Sequence, residues 1–356
     1  MKISAIIACL ALVLFLPLCT FASDTSLEDK IASETGADVI IGENGKTNIA
    51  DTAFSVIKSA LSSFVRDGLE YYCCLLALTV VFSVFSAFRW TSESRVLANL
   101  YEYISVLTLA AFLFSSLSKV FVFASESLER LCLYMSSLIP VTASLYTLGG
   151  SVSTGVASSS ALILFLTVSE KFSSSLLMPL LKAGFAASVI PSLPGSGDMR
   201  SVSGFLKNSL TTLLAFVFTT FGVVMYFQTV ITASADNYAF RTVKFASGVF
   251  IPVIGNIVGE AARTVTASVS VVKSSVGGAG IAAILSLTLP AVIYVFMYKL
   301  CTLLGAMTSR LLGLEKESNL LYDVNGFLSV LASLLVGTSV IFIIAVAMFI
   351  RIGVGD

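Results

Sequence analysis

Histidine is missing altogether from the 356 residues, and with it go the commonest general base near neutral pH and the commonest metal ligand. Ser-His-Asp triads and HExxH zinc sites are thereby excluded. Charge is scarce as well. Only 12% of residues are charged, the formal net charge is +0, and no lysine-arginine cluster stands out, so nucleic acid is not a partner that this chain is built to hold. The six cysteines (Cys9, Cys19, Cys73, Cys74, Cys132 and Cys301) include no CxxC pair. Two lie in the leader and four in apolar runs, where a thiol acts as a small hydrophobe. No metal or other cofactor is expected.

What the chain has in abundance is apolar sequence: 56% of it is hydrophobic and its mean hydropathy is +0.96. The lipid bilayer is therefore its main solvent. A span needs about 20 apolar residues, and such runs occur at 71–88, 104–124, 131–148, 210–235, 280–304 and 327–350. Two shorter runs, 156–169 and 172–190, are separated only by Glu170-Lys171 and read either as two short spans or as one broken hairpin. The fold class that follows is an all-α, polytopic integral membrane protein with about six to eight transmembrane helices, plus amphipathic or re-entrant helices.

The N-terminus carries Lys2, an apolar run over 3–18, then Thr20-Phe21-Ala22. Residues 1–22 fit a secretory signal peptide cleaved after Ala22; the alternative is an uncleaved anchor. Residues 23–69 form an extracytoplasmic acidic segment followed by an amphipathic helix on which Phe54, Ile57, Leu61, Phe64, Val65 and Leu69 recur at helical spacing. Residues 70–356 form the polytopic membrane domain. Arg89 and Arg95, and Lys299, Arg310 and Lys316 within a loop over 299–323, mark the cytoplasmic side.

Two fragments carry the spelling of an intramembrane aspartyl protease, Gly195-Ser196-Gly197-Asp198 and Tyr322-Asp323. Their order is reversed relative to such enzymes, and both are read as turn residues of solvated loops, so no catalytic residue is assigned. The stretch FIPVIGNIVGEAARTV (250–265) is more informative. Pro252 disturbs any helix running through it, and Gly255 and Gly259 form a GxxxG that admits another backbone. Beyond them Asn256, Glu260, Arg263, Ala267, Ser270 and Ser274 share one helical face, with Glu260 and Arg263 as i,i+3 neighbours. Pro252, Gly255, Asn256, Gly259, Glu260 and Arg263 are thus the candidate packing or pore-lining residues. The stripe suits a surface-lying helix with a solvated charge pair, or else the lining of a water-filled cavity or subunit interface. The glycine-rich runs 149–155 and 277–280 suit tight packing or re-entrant turns. An Ile-Pro-Val core recurs at 139–141 and 251–253, an offset compatible with an internal duplication.

YMSSLIPVTASLYTLGGSVSTG (134–155) and FASGVFIPVIGNIVGEAARTVTASVSVVKSSVG (245–277), together with the signal peptide and the acidic segment, resemble the stage III sporulation protein AE family of endospore-forming bacteria. The resemblance implies a protein of the mother-cell membrane around the forespore. It implies partners among the other membrane proteins of the same sporulation operon, and a forespore membrane partner. Together these would form a channel or secretion-like complex needed for forespore development. A self-sufficient secondary transporter or permease for a small solute is the alternative reading. The family offers no catalytic residue that can be placed on this sequence.

Overall fold

A computed structural model describes residues 49–89, 95–148, 152–172, 178–193, 203–224, 226–227 and 254–351. Among the described residues there is no strand. The helices are α1 (Ile49–Arg89), α2 (Arg95–Leu148), α3 (Val152–Lys171), α4 (Met178–Ala187), α5 (Ser203–Val224), α6 (Ile254–Leu311) and α7 (Glu315–Arg351). A 3-10 turn, Ile190–Ser192, follows α4. The expected signal peptide and the acidic segment before residue 49 lie outside the described residues, as do Asp198, Pro252 and the second Ile-Pro-Val core.

Among the described residues five helices are long and apolar enough to cross a membrane: Phe64–Ala87, Asn99–Leu148, Ser203–Val224, Ser268–Leu311 and Glu315–Met348. The all-α, polytopic membrane class is therefore met, and among the described residues some neighbouring apolar runs are joined into single long helices. The runs 104–124 and 131–148 belong to one 54-residue helix, α2. The charges between them do not break it, because Glu126 and Arg130 pair at i,i+4 across 3.8 Å on the exposed face. In the same way α1 fuses the amphipathic helix of 51–69 with the run 71–88.

α6 decides between the two readings of the glycine run 277–280, tight packing and a re-entrant turn. Gly277, Gly278 and Gly280 form no turn and lie within a continuous 58-residue helix. A glycine costs helix stability, but at Gly280 a β-carbon would lie 3.3 Å from Val346 and 3.5 Å from Leu138. Close helix packing explains why the position is small.

The expected cytoplasmic loop 299–323 is likewise almost wholly helical. α6 runs to Leu311 and α7 starts at Glu315, leaving three residues between them. Gly313, with φ +78°, makes this sharp turn possible. Its N–H donates to the Arg310 carbonyl at 3.1 Å and the Leu314 N–H to Ser309 at 2.9 Å, the hydrogen-bond pair of a Schellman stop. Asp323, read from sequence as a loop residue, is therefore a residue of α7.

The chain divides into two compact units. The first takes the described residues of Met1–Val122, Leu181–Asn208 and Val292–Ala332; the second takes those of Phe123–Leu180, Ser209–Ala291 and Ser333–Asp356. In the first, Leu75, Val106, Leu109, Leu113, Leu321 and Val324 are fully buried. The second is centred on Leu131, Met135, Ile139, Leu166, Ile284, Ile341, Phe342, Ala345 and Val346.

Candidate functional site

Gly255, Asn256, Gly259, Glu260 and Arg263 fall in the first three turns of α6. The helix is unbroken through them, so Gly255 and Gly259 share a face, as do Glu260 and Arg263. Their side chains and Pro252 lie outside the described residues. The same helix carries Lys273, which sequence reading passed over. It is 2% exposed, with its Nζ 4.5 Å from the centre of the Tyr146 ring. An aromatic face is one of the few surroundings that welcome a cation out of water.

In the first unit a set of polar contacts is built where α1 meets α6. Phe64, Gly68, Tyr71, Leu75, Thr79 and Phe82 are buried along α1 at spacings of three and four, the period of one helical face. Gly68 lets Met297 come close, a β-carbon there lying 3.2 Å from its terminal methyl. Cys301 donates its thiol hydrogen to the Gly68 carbonyl at 3.2 Å. Thr302 spends its hydrogen on the Tyr298 carbonyl at 2.7 Å, so Tyr71, 3.0 Å from Thr302 Oγ1, is the donor in that bond. Tyr294 in turn donates to the Tyr298 hydroxyl at 3.3 Å. Aromatic rings fill the space between, with Tyr71 stacked on Phe112 at 5.7 Å and tilted against Tyr298 at 4.8 Å.

The α6–α7 hairpin adds a second polar set. Arg310 in the last turn of α6 and Glu315 and Glu317 in the first turn of α7 suit the helix dipoles. Ser318 donates back to the Ala306 carbonyl at 2.8 Å, tying the two arms together. Glu317 is 4% exposed and accepts a 2.6 Å hydrogen bond from Ser105 of α2. Beside it Lys316 pairs with Glu102 at 3.2 Å. A buried carboxylate is tolerable only when it is held in this way. Sequence did contain a signal for Glu317. Leu321, Val324, Leu328, Leu331 and Leu335 are buried along α7 at alternating steps of three and four, and the same step backwards lands on Glu317.

These arrangements bind helices to one another; among the described residues no group of three or more metal-ligating side chains comes together. Fold and site together define a polytopic helical membrane protein. Residues 35–353 match the sequence family described as stage III sporulation protein AE, and the chain belongs to that family. Over 236 residues, 65% of this chain, it is 25% identical to the stage III sporulation protein AE of Bacillus subtilis (strain 168), and the match spans 57% of that relative's length. No solved structure matches.

Proposed function

We propose that this chain is the membrane subunit of a multiprotein channel or secretion-like complex that links mother cell and forespore. It would sit in the mother-cell membrane around the forespore and assemble with other membrane proteins of its operon and with a forespore membrane partner. No catalytic step is assigned to it. Membership of a sporulation family supports the setting, and the length of α2 supports assembly. Its 54 residues rise about 80 Å, whereas the hydrocarbon core is about 30 Å thick. Large apolar side chains are nevertheless exposed along the whole helix, with Ile104 at 62%, Leu133 at 62% and Leu148 at 66%. Lipid cannot cover all of them at once, and an apolar stripe left in water is a surface for protein.

The test is purification from sporulating cells in a mild detergent, with the attached proteins identified by mass. Products of the same operon should co-purify. Gly255→Leu, which would force a close-packed backbone away from α6, should release them while the chain stays at its normal level in the membrane. A chain that purifies alone from cells in which it supports spore formation would overturn the proposal.

A further inference from the structure

The α6–α7 turn borders a cleft of about 170 Å³ lined by Arg310, Glu315, Ser318 and Asn319. That is below the about 300–1,000 Å³ of a pocket for a drug-sized molecule, so a small polar group is what it can take. Its lining carries both signs of charge. Arg310 and Glu315 are exposed, and among the described residues neither is in an ion pair. Ser318 has spent its hydroxyl hydrogen on the Ala306 carbonyl, which leaves its Oγ as an acceptor, and Asn319 brings an amide that can donate and accept. An anion alone would meet the Glu315 carboxylate, and a cation alone the Arg310 guanidinium. A zwitterion answers both.

The cleft stands where two membrane-crossing helices end. The apolar span of α6 closes at Leu311 and that of α7 opens at Glu315, which puts the turn between them at the depth of lipid headgroups. From there an apolar face leads back along α6. Phe296, Leu300, Leu304, Met307 and Leu311 are all exposed and follow one another at steps of three or four, the period of one helical face. Leu311, next to Arg310, is 87% exposed. From Phe296 to Leu311 the helix rises about 22 Å, more than half of the about 30 Å hydrocarbon core, so the face can carry an acyl chain through one leaflet.

We propose that this cleft binds the headgroup of a zwitterionic phospholipid with a primary amine, of the phosphatidylethanolamine class, its phosphate at Arg310, its ammonium at Glu315 and an acyl chain along the exposed face of α6. A primary ammonium has hydrogens to donate, and Glu315, Ser318 Oγ and the Asn319 carbonyl are the acceptors for them. A choline headgroup has none to give, and a glycerol headgroup brings no cation to Glu315. The site is a property of the chain alone and does not depend on the channel reading.

The experiment uses the full-length protein, purified in a mild detergent and stripped of lipid. Phosphatidylethanolamine, phosphatidylcholine and phosphatidylglycerol with the same acyl chains are offered together, and native mass spectrometry counts what stays bound. The parent should retain phosphatidylethanolamine about tenfold over either competitor, the worth of a hydrogen bond or two to a charged group. Glu315→Gln should bring phosphatidylglycerol level with it, and Arg310→Gln should lower its retention about tenfold. Both side chains are exposed, so the variants should unfold at the parent's temperature in the absence of lipid. Loss of the preference in both variants supports the site. Equal retention of the three lipids by the parent, or a preference that survives either change, overturns it. Water-soluble phosphoethanolamine, which has no chain to lay on α6, should fail to displace the lipid at equal concentration. Full displacement would show that the cleft takes a free phosphorylated amine, and would overturn the assignment to a lipid.

Discussion

In the first unit Tyr71, Ser105 and Ser318 send their hydroxyls across to a neighbouring helix, whereas in the second Thr142, Thr288, Thr338 and Ser339 turn theirs back onto the helix they belong to. Both devices let a hydroxyl be buried without leaving a donor unsatisfied. Only the first specifies a partner. A bond between Tyr71 and Thr302 exists at one register of α1 on α6 and is lost on sliding either helix by a turn. An apolar seam such as that around Phe342 asks only for complementary shape, which several registers can approximate. The first unit also has hydroxyls turned back on their own helix, such as Thr79, Thr302 and Ser309, so its cross-helix bonds add a fixed register to the filling of volume that both units share.

This contrast can be broken most forcefully in the second unit. Phe342 is fully buried, and Phe342→Ala should cost about 3–5 kcal/mol, read as loss of unfolding free energy in detergent. The loss of hydrogen-exchange protection should be concentrated in the segments of 131–139, 284 and 341–346. A loss spread evenly over both units would show that the division is not physical.

Glu317→Ala comes next, at about 1.5–3 kcal/mol for a buried hydrogen bond to a charged group. Glu317→Gln keeps the acceptor for Ser105 and should recover most of that stability. Equal losses in the two variants would mean that charge, and not the hydrogen bond, holds the hairpin to α2. Gly184→Ala tests close packing in the same unit. A β-carbon there would lie 2.5 Å from the buried Phe327 ring, and overpacking of this kind costs about 1–3 kcal/mol.

Tyr71→Phe should cost less, about 0.5–1.5 kcal/mol, because Thr302 keeps its own bond to Tyr298 and no buried group is orphaned. The smallest change is expected at Lys273. Lys273→Met keeps an apolar chain against the Tyr146 ring in exchange for the cation–π contact, so the net change should stay within about 1 kcal/mol. A clear loss, measured by the same unfolding assay, would show that the second unit also relies on a charge.

Much of the architecture was legible in the apolar runs. A chain without histidine and with repeated apolar runs of span length has few folds open to it besides a helical membrane bundle, and the stretches 134–155 and 245–277 carried the family. Helix ends were harder. Glu126 and Arg130 look like a polar break in the sequence, yet an i,i+4 pair is at home on an exposed helical face. Gly277 to Gly280 look like a turn, yet close packing by Val346 and Leu138 accounts for the small residue at Gly280. Tyr322-Asp323 has the spelling of a loop, and nothing local reveals that α7 began eight residues earlier behind the stop at Gly313. Gly255, Asn256, Gly259, Glu260 and Arg263 lie on a helix, as their spacing indicates. The cross-helix bonds could not have been read at all. Tyr71 and Thr302 are 231 positions apart, and periodicity within one helix says nothing about which helix it meets.

The three-residue turn between α6 and α7 also sets an order of events during synthesis. Ser318 and Ala306 are 12 residues apart, so the hairpin closes on itself as soon as it leaves the ribosome. Ser105 waits 212 residues for Glu317, and the first unit stays open at that seam until α7 is being made. A chain released before α7 is made would lack the acceptor for Ser105. Pulsed hydrogen exchange on stalled chains of increasing length should show protection within 306–318 arising together with α7, and protection around Ser105 following it.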